Sequence, residues 1–227
     1  MASTASNSFL QTAIQFIQEG GTFMYPIILV GLIGIAIIIE RALYLHAVKR
    51  RNQAFWQQLY PSVSQYKFKQ ALTDAENNKA ALALMVENGL QTARYSRSPE
   101  DMELAMEESL MEIMPRLETR TGYVATFANI ATLLGLLGTI IGLITAFSAV
   151  ASADPAQKAE LLSASISVAM NTTALGLLVA IPLLLAHAFI TSMTNKVVDS
   201  LEIASMKCLN FYRAFLTQAE SNKNSAA

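Results

Sequence analysis

Hydrophobic and charged positions are sharply segregated along this chain. Gly20 to Ile39 runs 20 residues without Asp, Glu, Lys or Arg; Thr121 to Ala153 runs 33, and Leu161 to Asn195 runs 35. Twenty helical residues rise about 30 Å, one hydrocarbon core. The runs therefore predict three transmembrane helices, over residues 22–45, 121–150 and 161–194. The second and third runs exceed one membrane thickness by about ten residues, so their helices must tilt or continue out of the bilayer.

The remaining segments also read as helix. Before the first span, residues 1–21 form an amphipathic helix, with Ser8 as its cap and Phe9, Leu10, Ala13, Ile14 and Ile17 on one face, ended by Gly20-Gly21. In 46–120, Ser98-Pro99-Glu100-Asp101 is a helix start: a cap, proline at the first position, then acids at the positive end of the helix dipole. Met102, Met106, Leu110, Ile113 and Leu117 follow as an apolar stripe, and Pro115 predicts a kink. The opposite face, Glu103, Glu107, Glu108 and Glu112, is either solvated or a partner-docking surface. The third span continues through KVVDSLEIASMKCLNFYRAFLTQ as an exposed helical rod carrying Val197, Leu201, Ser205, Leu209 and Phe215. The final AESNKNSAA is too polar to order itself.

Charge fixes an orientation. Lys49, Arg50 and Arg51 follow the first span, Arg116 and Arg120 precede the second, and Lys196 follows the third. Only Lys158, of 16 basic residues, falls in the loop between the last two spans. The positive-inside rule predicts a periplasmic N-terminus and loop 151–160, a cytoplasmic insertion 46–120 and a cytoplasmic tail 195–227. The N-terminal stretch has no basic residue, so it makes a poor signal peptide. Hydrophobic residues make up 53% of the chain and charged ones 15%, where soluble domains have about a quarter charged. A net charge of −1 gives no field for nucleic acid. Cys208 is alone, and His46 and His187 have no ligand cluster around them. No phosphate loop, nucleophile–base pair or carboxylate pair occurs, so neither enzyme, metal site nor cofactor is predicted.

The spans carry stripes of small residues. In the second, Thr132, Gly135, Thr139, Gly142 and Ala146 share one side, and Gly138 adds close-approach spacings to Gly135 and Gly142. In the third, Ala169, Thr173, Gly176 and Ala180 do the same. Either stripe alone reads as helix packing; two matching stripes can also line a narrow cavity between subunits. Asn171 lies about 200° from Thr173 around the helix and needs a partner across an interface, while Thr172 fits either surface. Glu40 and Arg41 close the first span as an ion pair, within or between subunits, and His187 reads as an interfacial histidine. No carboxylate stands in the interior of a span, so any titratable group for ion movement must come from another chain.

GLLGTIIGL (135–143), NTTALGLLVAIP (171–182), the Glu40-Arg41 pair and the three-span layout together resemble the MotA/TolQ/ExbB family of proton-driven motor subunits, and its ExbB branch most closely. The resemblance implies an all-α membrane protein with long cytoplasmic helical extensions, assembled in the bacterial inner membrane as a homopentamer around a central pore. That pore would enclose single-span helices of an ExbD- or TolR-like partner bearing an intramembrane aspartate. Membrane lipid would surround the assembly, and a TonB-like protein would couple it to the outer membrane. The family's pore threonines map onto Thr139 and Thr173, with Thr132 and Thr172 beside them. The implied activity is use of the proton motive force to energise TonB-dependent outer-membrane transport. The alternatives are a TolQ-like role in the Tol-Pal envelope system, or a scaffold that conducts nothing. The chain departs from the family pattern at Val168, where ExbB-like sequences carry a glutamate.

Overall fold

A computed structural model describes Phe16 and residues 20–225, apart from the side chains of 220 and 222–225. The amphipathic helix expected over 1–21 lies outside these residues, save for Phe16, which is helical, and Gly20 and Gly21 beyond it. Six helices follow: α1 (Met24–Ser64), α2 (Phe68–Glu76), α3 (Ala81–Ser96), α4 (Pro99–Glu118), α5 (Thr121–Ser152) and α6 (Lys158–Ser225). Among the described residues there is no strand. Met24–Ser64, the stretch Pro99–Ser152 and Lys158–Ala219 are each long and apolar enough to cross a membrane. The final residues do not leave the helix where their polarity suggests: α6 runs to Ser225.

The chain divides into two compact units, one holding the chain up to Ile39 with Arg120–Phe189, the other Glu40–Thr119 with Ile190–Ala227. In the first unit, Met24 and Ile27 of α1, Val124, Ala128 and Ala131 of α5, and Leu175, Ala180 and Leu183 of α6 form the core. Most of the bulky side chains point the other way: Leu133, Leu137, Ile140 and Ile144 of α5 and Leu177, Leu178, Leu184 and Leu185 of α6 are exposed. On α5, where Ala128 and Ala131 lie inside and the leucines and isoleucines outside, this inversion suits lipid, because burying leucine gains nothing over leaving it in hydrocarbon.

In the second unit, α4 starts as the sequence predicts. Ser98 accepts a hydrogen bond from the Asp101 amide at 3.3 Å, with Pro99 next. The Glu100 backbone amide and the Ser98 hydroxyl hold the Glu100 carboxyl below its usual range. The buried stripe of α4 is Met102, Met106, Ser109, Ile113 and Leu117, so Ser109 takes the place expected of Leu110. Its hydroxyl accepts from Asn88 Nδ2 and donates to the Ala105 carbonyl, both at 2.8 Å, which makes a buried serine tolerable. Within the acidic face, Glu103 pairs with Arg213 at 2.9 Å with both side chains nearly half exposed.

The tail of α6 is not an exposed rod. Val197, Leu201, Ala204, Cys208, Leu209 and Tyr212 are buried. Tyr212 donates to the Ala93 carbonyl at 3.1 Å and meets Phe68 edge-on at 5.5 Å. Burial pushes the Cys208 thiol up to about 12. It also raises the Tyr212 phenol, against a smaller lowering by Arg97. The mixed apolar and polar spacing hid this face, because only one side of the helix is covered.

Candidate functional site

In the first unit, Thr172 and Thr173 of α6 stand against Gly138 and Gly135 of α5. The helices touch through residues with almost no side chain. A Cβ built on Gly176 would stand 2.8 Å from the Ala131 carbonyl oxygen and 3.0 Å from Gly135 Cα. One on Gly135 would be 3.3 Å from both Gly176 Cα and Thr173 Cα. One on Gly138 would strike the Thr172 side chain, and one on Gly142 would stand 2.8 Å from Ala169 Cβ. At Gly135 and Gly176 the contact is backbone against backbone.

That seam splits the stripe read from the sequence. Ala131, Gly135, Gly138 and Ala146 are buried in it. Thr132 and Thr139, one residue further round, sit on its open flank. Both hydroxyls bond their own helix: Thr132 donates to the Ala128 carbonyl at 3.2 Å and Thr139 to the Leu136 carbonyl at 2.6 Å. On α6, Thr173 is half-buried at the same edge and reaches across, donating to the Gly135 carbonyl at 2.9 Å. Thr173 and Gly135 are thereby brought together within one chain.

Thr172 goes the other way. It is 1% exposed, and its hydroxyl shares one proton between the Gly20 carbonyl at 2.8 Å and the Val168 carbonyl at 2.9 Å. It ties α6 to the chain just ahead of α1. Asn171 is half-buried and makes no hydrogen bond to a described residue. Two contacts escaped the sequence reading: Gly31 of α1 packs on Val179 and Gly34 on Leu183, where added Cβ atoms would sit 3.0 and 2.7 Å away. The three-residue spacing of Gly31 and Gly34, which puts both on one face of α1, is the signal that could have found them.

In the second unit, Glu40 is exposed while Arg41 is 3% exposed. Arg41 Nη2 donates to the Leu117 carbonyl, and the guanidinium lies 4.7 Å from the Tyr44 ring centroid. Leu117 is in the last turn of α4, so Arg41 places a cation on that helix's negative end. No group of three or more His, Cys, Asp or Glu able to hold a metal occurs among the described residues.

A multi-span helical protein with a glycine seam edged by threonines is the class these features define. Residues 77–203 match the MotA/TolQ/ExbB proton channel family. The chain is 29% identical over 201 residues to a putative biopolymer transport protein ExbB homolog of Methanothermobacter thermautotrophicus, covering 86% of this chain and 69% of the relative. It is 30% identical over 184 residues to the putative biopolymer transport protein ExbB-like 3 of Synechocystis sp., covering 75% and 81%. A shorter match, 31% over 93 residues, is to the Tol-Pal system protein TolQ of Haemophilus influenzae, covering 41% and 40%. The chain belongs to the MotA/TolQ/ExbB proton channel family.

Proposed function

We propose that this chain is the pore-forming subunit of a proton-driven motor in the bacterial inner membrane. Five copies surround the single-span helices of an ExbD/TolR-like partner, with N-termini periplasmic and C-termini cytoplasmic. The observation that carries the reading is the state of the threonine hydroxyls at the seam. Thr139 and Thr173 stand beside carbonyl oxygens, which have no proton to give, so each hydroxyl donates inward. What each can offer outward is lone pairs.

A wall of acceptors suits a protonated carboxyl, which is a donor, and gives a carboxylate nothing. The partner's aspartate would then pass the seam neutral, avoiding a charge cost of a few to more than ten kcal/mol. One proton descending 100 mV releases about 2.3 kcal/mol, enough to bias a rotation step. No acid stands in the interior of the spans to compete for that proton: Glu40 lies at the end of the first, and position 168 is a valine. Asn171, with no hydrogen bond to a described residue, would find its partner on the neighbouring copy. The cargo is energy for TonB-dependent outer-membrane transport, supported by the ExbB-like relatives. The TolQ match supports a second reading, energy for the Tol-Pal envelope system.

Thr173→Val and Thr173→Ser test the reading. Valine nearly keeps the shape and removes the hydroxyl; serine keeps the hydroxyl. The valine variant should assemble with the partner but lose about five- to tenfold in proton flux through co-reconstituted liposomes, the factor expected when a hydrogen bond of about 1 kcal/mol is lost. The serine variant should conduct. A valine variant that conducts normally would reduce the chain to a scaffold. Deletion in the source organism then separates the branches: loss of TonB-dependent uptake marks one, and detergent sensitivity of the envelope marks the other.

A further inference from the structure

Three basic residues distant in sequence meet in the second unit. Arg51 of α1, Lys79 ahead of α3 and Arg116 of α4 line one cavity of about 300 Å³. None of the three forms an ion pair with a described residue. Glu87 is the one acid on the wall, and its Oε1 already accepts from Gln91 Nε2 at 3.2 Å. All three are exposed, and three cations against Glu87 leave the wall a net formal charge of +2, which favours an anion there.

A buried donor points to the same conclusion. Asn52, on the cavity wall, is 4% exposed. Its Oδ1 accepts from the Leu82 amide at 3.2 Å, in the first turn of α3, a helix whose start has no side-chain cap. That bond fixes the amide's orientation and leaves Nδ2 buried with no acceptor. Buried polar groups are almost always satisfied, so a missing acceptor is informative. Asn78, also on the wall, spends its Oδ1 on the Ala80 amide and keeps its own amide as a donor. Asn52 also borders a second cavity, but that one is largely apolar, and its cation, Lys207, lies over the Trp56 ring at 5.8 Å.

We propose that the cavity between α1, α3 and α4 binds a phosphoryl oxyanion. Two guanidinium forks and an ammonium match phosphoryl oxygens, the positive end of α3 adds to the field, and Asn52 Nδ2 gains its acceptor. The volume admits a phosphoryl group with its attached moiety. The source is either free phosphate or a lipid headgroup.

The test uses the full chain in phosphatidylcholine nanodiscs, with thermal unfolding followed as inorganic phosphate replaces chloride at equal ionic strength. A second arm dopes the discs with phosphatidylglycerol. A saturable rise in Tm with phosphate identifies a free anion; a rise with phosphatidylglycerol alone identifies a headgroup. Lys79→Gln with Arg116→Gln, both at exposed positions, should weaken the apparent affinity at least about tenfold. Asn52→Asp keeps the acceptor for Leu82 while replacing the donor with negative charge, and should abolish the shift. Arg50→Gln, exposed and off the cavity, should change nothing. No saturable shift in either arm, or one that Arg50→Gln weakens as much as the double variant, overturns the proposal.

Discussion

Replacing Gly176 with alanine adds one methyl group at the narrowest point of the α5–α6 seam. That methyl would stand 2.8 Å from the Ala131 carbonyl oxygen, where ordinary contact begins at 3.4 Å. The obstructing atom is backbone, so no rotamer can yield. The helices must part locally by about 0.6 Å, a gap that forfeits a quarter to a half of each contact's attraction. The Thr173 bond to the Gly135 carbonyl would stretch from 2.9 Å toward the limit of a hydrogen bond. Overpacking costs about 1–3 kcal/mol, and an interhelical hydrogen bond in a membrane protein contributes about 0.6 kcal/mol. Against this, alanine gains up to about 1 kcal/mol in helix propensity over glycine. Gly122, near the start of α5, isolates that last term, because a Cβ there meets nothing within 4 Å. Thermal unfolding in bicelles, followed by circular dichroism, should therefore separate Gly176→Ala from Gly122→Ala by about 2–3 kcal/mol, with the Gly122 variant equal to or above the parent. If the two variants melt within about 0.5 kcal/mol of each other, the ordinary scatter of surface changes, the backbone contact is not what holds the seam.

Three further outcomes follow from the second unit. Ser98→Ala should cost about 1 kcal/mol by uncapping α4, read as a fall in the denaturant midpoint. Arg41→Met should cost about 1.5–3 kcal/mol, because it strips a charged donor from the Leu117 carbonyl at the buried end of α4, and lysine should not rescue it fully. Cys208 should resist maleimide at neutral pH in the folded protein and label promptly once unfolded. Its thiol is raised from 9.0 to about 12, so the folded state holds the proton more tightly. The associated stability is intact below pH 9 and declines as pH rises from 9 to 12, the sign that linkage requires.

The spans were legible because lipid imposes a length and forbids charge, and three uncharged runs satisfy both. The start of α4 was legible because capping is local chemistry over four residues. The phase of the α5 stripe was less so. Ala131, Thr132, Gly138 and Thr139 are all small, so composition does not say which edge of the stripe packs and which stays open. Only the partner helix decides that Gly138 meets Thr172 while Thr139 turns outward. Arg41 Nη2 donates to a carbonyl 76 residues away, a contact that no local pattern around Arg41 announces. The covered face of the tail was missed for a related reason. Cys208 and Tyr212 lie among Lys207, Asn210 and Arg213, and the pattern is apolar only along a stripe that alternates steps of three and four.

The glycine seam has a consequence for how this gene can vary. Valine, leucine or isoleucine at Gly135 or Gly176 would leave every span intact in a hydropathy profile and every topology rule obeyed. Such alleles would insert, orient and accumulate in the membrane, then fail to close α5 on α6. Harmful variation at the seam thus takes the form of changes that make the protein more hydrophobic, the kind usually treated as harmless in a membrane segment. On the outer faces of the same helices, where Leu133 and Leu185 point away from the core, those substitutions should pass unnoticed.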